Sequence, residues 1–123
     1  MRVFIADDSG DIRTSLRKRL SLIEGVEIVG DSETTTGATR EIERLKPDFV
    51  ILDLFMPGGG GIVTLKAIKK AKPPPKVIVF TNYSLPEYKK LCLAYGAERF
   101  YDKSTEFREL IATISQYQEI RFQ

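Results

Sequence analysis

An α/β fold, with a parallel sheet covered on both faces, is predicted by three features of this 123-residue sequence. Short apolar runs alternate with longer amphipathic segments. The pairing of run and helix repeats five times. Each run is apolar on consecutive residues, as a strand buried on both faces requires.

The elements follow in order. Val3-Phe4-Ile5-Ala6 is the first strand, stopped by Asp7-Asp8. Ile12, Leu16, Leu20 and Ile23 then fall on one helical stripe, with Arg13, Arg17, Lys18 and Arg19 off it. Gly25 marks the end of that helix. Val26 to Val29 is a second strand. Residues 33–45 form a weaker helix on Ala38, Ile42 and Leu45, since Gly37 and neighbouring threonines lower its propensity. Pro47 closes it. Phe49-Val50-Ile51-Leu52 is the third strand, and it ends at Asp53.

Gly58 to Gly61 leads into a third helix on Ile62, Leu65 and Ile68. Pro73-Pro74-Pro75 cannot continue a helix. Val77-Ile78-Val79-Phe80 is the fourth strand, ending at Thr81. Ser84-Leu85-Pro86-Glu87 has capping-box spacing and starts the fourth helix, which ends at Gly96. Glu98 to Tyr101 is the fifth strand, followed by Lys103. Ser104 is placed to cap the last helix, whose apolar face is Phe107, Leu110, Ile111, Ile114 and Tyr117.

Composition bounds the function. One domain fits this length. Apolar residues are 42%, enough for one core. The 19 basic and 17 acidic residues leave +2, which argues against a nucleic-acid footprint. The absence of histidine removes histidine triads, histidine metal ligands and a phosphohistidine carrier. The single Cys92 excludes an internal disulfide, and as a small, readily buried residue it reads as core. No apolar run approaches the ~20 residues of a membrane span, and no secretory signal is visible. The expectation is a soluble, reduced, cytoplasmic domain.

The polar residues of interest share one location. Asp7, Asp8, Asp53, Thr81 and Lys103 all stand where strands end. In an open parallel sheet those ends line one crevice, where ligands bind. Clustered carboxylates repel one another and are relieved by a divalent cation, for which oxygen ligands, waters and a phosphate suit Mg²⁺. A carboxylate there can act as nucleophile towards a phosphoryl group and form an acyl phosphate. Taken singly, each residue has a plainer role: Asp7-Asp8 as a helix cap, Asp53 as a turn residue, Thr81 as a strand residue, Lys103 as a solvated side chain.

Together these pieces resemble the receiver domain of two-component response regulators, over essentially the whole chain. The matching segments are Asp7-Asp8, Leu52-Asp53-Leu54-Phe55-Met56-Pro57, Thr81, Gly96-Ala97 and Lys103. The resemblance implies a flavodoxin-like (βα)₅ three-layer sandwich with a five-stranded parallel sheet of order 2-1-3-4-5. It implies that Asp53 accepts phosphate, that Asp7 and Asp8 hold Mg²⁺ directly or through water, and that the Phe55 carbonyl completes the protein ligands. Thr81 and Lys103 match the hydroxyl and lysine that contact the phosphoryl group. Phe100 stands at the aromatic switch position, three residues before Lys103. The switch implied would act on the face of the fourth helix, fifth strand and fifth helix. Phe55 and Tyr83 match the two positions that tend to govern phosphate lifetime, and both are bulky here.

Some features depart from the family pattern or carry a second reading. Asn82 stands where the family has a small residue. Tyr88 and Tyr95, seven residues apart, read as partner contacts or as half-buried packing. The resemblance implies a sensor histidine kinase or histidine phosphotransfer protein as donor, and self-catalysed phosphotransfer and dephosphorylation rather than turnover of a separate substrate. The output would be an unidentified protein target, with no direct nucleic-acid or membrane contact, and phosphorylation-dependent homodimerisation would use the switch face. A start at Met1 and a polar tail from Gln116 to Gln123 favour a stand-alone receiver. Three other readings compete. A degenerate receiver would act as a phosphorylation-independent interaction module. An aspartate-nucleophile phosphatase would carry a second aspartate where Phe55 stands. A flavin module would need a phosphate-cradling loop in place of Asp7-Asp8.

Overall fold

The computed structural model describes residues 1–121. Five strands form one parallel sheet: β1 (Arg2–Ala6), β2 (Glu27–Ser32), β3 (Phe49–Leu52), β6 (Lys76–Thr81) and β7 (Arg99–Asp102). They lie in the order β2-β1-β3-β6-β7, which is the expected 2-1-3-4-5 once a short hairpin is set aside. That hairpin pairs β4 (Phe55–Met56) with β5 (Gly59–Gly60) and was not anticipated. The helices are α1 (Gly10–Leu20), α2 (Thr35–Leu45), α3 (Gly61–Ile68), α4 (Pro86–Ala94) and α5 (Phe107–Arg121).

Successive strand residues point to opposite faces, so each apolar run feeds two cores. Phe4, Ala6, Val50, Leu52, Val77, Val79 and Phe100 pack with Ala38, Leu65 and Cys92, on the side of α2, α3 and α4. Val3, Ile5, Ile51, Ile78 and Phe80 pack with Leu16, Leu20, Leu110, Ile111 and Ile114, on the side of α1 and α5. This division is why the runs are apolar at every position.

Element ends moved where local hydrogen bonding outweighed the sequence cues. The helix α1 stops at Leu20, with Ser21 as its cap, well before Gly25. The α3 helix likewise stops at Ile68, before the three prolines. The strand β2 runs on to Ser32, whose carbonyl receives the Asp7 amide. No capping box forms at α4: its N-cap is Leu85 without a side-chain bond, because the Ser84 hydroxyl goes to the Asp102 carboxylate. Ser104 also bonds Asp102 and does not cap α5. The fifth main-sheet strand is displaced by one residue, to 99–102, so Lys103 follows it directly. The expected polar tail is helical through Arg121, and its residues 122–123 lie outside the described region.

Gly61 is dictated by close approach. Its amide bonds the Leu54 carbonyl at 2.8 Å, and a Cβ there would stand 2.4 Å from Leu54 backbone atoms. This holds the start of α3 against the segment that follows Asp53.

Cys92 is fully buried, and desolvation pushes its thiol up to about 11. In the native protein at pH 8, Cys92 should therefore resist an aromatic disulfide reagent and react only after denaturant is added. Rapid reaction of the folded protein, read by absorbance, contradicts this packing.

Candidate functional site

Backbone ties at the carboxyl edge of the sheet assemble the site. Beyond β1, the Asp7 amide bonds the Ser32 carbonyl at 3.0 Å. Beyond β3, the Asp53 amide bonds the Ala6 carbonyl at 2.9 Å. Beyond β7, the Lys103 amide bonds the Thr81 carbonyl at 3.0 Å. Each tie extends the parallel ladder by one step past the last residue of its strand. Polar side chains from distant parts of the chain therefore meet at one place.

Oxygens of Asp7, Asp8 and Asp53 lie within 4.8 Å of one another. Asp7 and Asp53 are buried, while Asp8 is exposed. Lys103 reaches between the two buried carboxylates, 2.8 Å from Asp7 Oδ2 and 3.0 Å from Asp53 Oδ2. Its contact with Asp53 is a hydrogen bond. Its contact with Asp7 Oδ2 is close but not aligned as one, so that buried oxygen keeps an unmatched acceptor. A cation fits such an oxygen, and a cluster of three carboxylates suits Mg²⁺.

The electrostatics run against a relaxed site. Burial pushes the Asp53 carboxyl above its ordinary value. Lys103 pulls it down by charge and hydrogen bond, Asp7 pushes it up, and burial prevails. For Lys103, burial favours loss of the proton, but its close contacts with the Asp7 and Asp53 carboxylates outweigh it and raise the ammonium above its ordinary value.

The other predicted positions fall around this centre. Thr81 is fully buried, and its hydroxyl accepts the Tyr83 amide at 3.2 Å. Asp53 Oδ1 accepts the Phe55 amide at 3.4 Å. The Phe55 and Tyr83 rings stack with centroids 3.9 Å apart, each about half exposed. Tyr88 meets Phe55 edge-on at 5.7 Å. Tyr95 instead carries the Lys66 ammonium over its ring, so the two tyrosines of α4 do not act as one patch. Phe100 is buried in the α4-side core. Asn82 is exposed.

One residue near the site was not singled out from the sequence. Arg13, read there as polar-face helix surface, donates to the Asp7 carbonyl at 2.7 Å. The pattern of apolar residues marks α1 but gives no sign of where its arginines reach.

Raised acidity constants set the expected pH response. A folded-state value above the unfolded one costs stability as pH rises past the unfolded value. Without divalent cation, Asp53→Asn should melt higher than wild type at pH 7. Its advantage should vanish as pH falls below the ordinary aspartate value, where Asp53 is protonated in both states. Equal melting temperatures at pH 7 would mean that Lys103 fully offsets burial.

The sequence matches the response regulator receiver domain family over residues 3–115. It is 38% identical to the uncharacterised transcriptional regulatory protein YhcZ of Bacillus subtilis over 113 residues, covering 92% of this chain and 53% of that protein. The chain thus spans about half the length of the curated relatives such as this one. The fold superposes on the response regulator domain of Thermotoga maritima CheB with a TM-score of 0.83 at 29% identity, covering 98% of this chain and 93% of that one. For a DNA-binding response regulator of the LuxR family from Staphylococcus aureus, the TM-score is 0.84 at 30% identity, with 94% and 96% covered. With its acidic pocket of Asp7, Asp8 and Asp53 beside Lys103, the chain belongs to the receiver domain family of two-component response regulators.

Proposed function

We propose that Asp53 accepts a phosphoryl group from a phosphohistidine on a sensor kinase or phosphotransfer protein. The observation that carries this reading is the placement of Asp53 beside Lys103 and the acidic pair, at the one edge where all five strands end. An Asp53 oxygen attacks phosphorus, the P–N bond breaks, and its electron pair returns to the imidazole. The product is an aspartyl phosphate. Asp7, Asp8, Asp53 and the Phe55 carbonyl are the residues that would hold Mg²⁺. The ion supplies charge neutralisation to the phosphoryl oxygens. Lys103 keeps its proton throughout and pairs with a phosphoryl oxygen once Asp53 is esterified.

Thr81 would donate its hydroxyl to a second phosphoryl oxygen, shifting its contact with the Tyr83 amide as it turns. Phe100, already inside the core, fills the space on the α4 side next to that strand end. The output of this two-state change is the face of α4, β7 and α5, where Leu85, Leu91 and Leu93 are exposed. A protein target suits this apolar face better than nucleic acid does, and a second copy of the chain is the other partner it suits. The sequence carries neither a strong basic excess nor a helix long and apolar enough to cross a membrane among the described residues.

The test is a small-molecule phosphodonor with Mg²⁺, read by intact mass. Wild type should gain the mass of one phosphoryl group and Asp53→Asn none. No gain in wild type overturns the assignment. The Phe55–Tyr83 stack lies over the two turns that contact Asp53 and Thr81, and we assign it the shielding of the aspartyl phosphate from water. Replacing both rings by serine should shorten the phosphate's lifetime by about tenfold, on the scale of a 1.4 kcal/mol barrier change. An unchanged decay rate in a timed mass assay contradicts the shielding role.

A further inference from the structure

All the polar groups of Asp7 but Oδ2 are hydrogen-bonded. Its amide goes to Ser32, Oδ1 accepts the Ser9 amide at 2.9 Å, and Oδ2 faces Lys103. Its carbonyl is held by Arg13 Nη1 at 2.7 Å. That carbonyl belongs to the peptide group joining Asp7 to Asp8. Fixing its direction also fixes the Asp8 amide and the position of the Asp8 Cα, from which that side chain departs. Asp8 itself is exposed.

Arg13 is well placed to hold it. It stands one turn into α1, with its amide on the Ser9 carbonyl. Its side chain is 21% exposed, with Asp31 at 4.0 Å and Glu33 at 3.9 Å on the far side. Both separations are at the outer limit of an ion pair. Asp31 is held more closely by Arg17, at 3.0 Å. The closest contact of Arg13 is therefore the Asp7 carbonyl, and the two acids only keep the guanidinium turned towards it.

We propose that Arg13 is a positioning residue of the divalent-cation site: it fixes the Asp7–Asp8 peptide so that both carboxylates face the ion. This rests on the receiver reading above. Charge and position predict opposite signs. Removing a nearby positive charge should tighten cation binding, whereas losing an outer-shell restraint should weaken it.

Mn²⁺ is the probe, with the free ion followed by electron paramagnetic resonance on unphosphorylated protein. Arg13→Ala should raise the Mn²⁺ dissociation constant about tenfold. Arg13→Lys, which keeps one donor, should restore most of the loss. Arg17→Ala removes an equal charge from the same helix without touching Asp7, and should bind Mn²⁺ as tightly as wild type or more tightly. At saturating Mg²⁺ the Arg13→Ala phosphorylation rate should return to wild type, so that only the metal requirement moves. Unchanged or tighter Mn²⁺ binding by Arg13→Ala overturns the proposal, as does equal weakening by Arg17→Ala. No Mn²⁺ binding by wild type overturns the metal-site reading beneath it. The lysine variant keeps the test decisive if the alanine variant folds poorly.

Discussion

Lys103 stands between Asp7 and Asp53 with its side chain 7% exposed, and the rest of the site is arranged around that ammonium. Two buried carboxylates so close would otherwise drive one of them to take a proton. One cation between them leaves a net negative pair, and Asp8 adds to it. Asp53 stays above its ordinary acidity constant even with Lys103 bonded to it, so the compensation is incomplete. The pocket therefore holds unsatisfied negative charge by construction, which is the condition a divalent cation and then a phosphoryl group would exploit in turn. Lys103 exchanges Asp53 for another partner only when new negative charge arrives beside it.

This arrangement depends on register. The Asp7, Asp53 and Lys103 amides each continue the sheet ladder one step beyond the end of their strand. A shift of one residue in any strand would turn its apolar set to the wrong core and move its polar end out of the crevice. Two cores on opposite faces, fed by alternate residues of the same runs, pin that register far more firmly than the polar contacts could. Stability is thus stored in the sheet, and the strained charges sit at its edge.

Much of this was legible in the sequence because it is carried by periodicity. Unbroken apolar runs such as Phe49–Leu52 announce buried parallel strands, and the residues that end them announce the crevice. What was not legible depended on competition between partners. Ser84 has the right spacing for a cap, yet Asp102 takes its hydroxyl across the sheet edge. Ser104 is drawn to the same carboxylate. The β4–β5 hairpin arises because the Leu54 carbonyl takes the Gly61 amide, folding the glycine run back on Phe55 and Met56. The reach of Arg13 to Asp7 is likewise a matter of side-chain direction, which helical spacing does not encode.

Two matched turns connect the pocket to the surface beside it. Asp53 accepts the amide two residues on, at Phe55, and Thr81 accepts the amide two residues on, at Tyr83. The side chains carried by those two amides are the rings that stack at 3.9 Å, and Tyr88 of α4 meets the first of them. The two acceptors in the crevice and the two rings above it thus form one chain of contacts, from Asp53 through Phe55 and Tyr83 to Thr81. A Thr81 hydroxyl that swings towards a new acceptor on Asp53 would lengthen its bond from the Tyr83 amide. That shift would loosen the ring lying on Phe55 and so alter what Tyr88 and α4 rest against. A rearrangement confined to one hydroxyl would thereby have a route to α4 through three aromatic side chains. It needs no movement of the sheet that positions them.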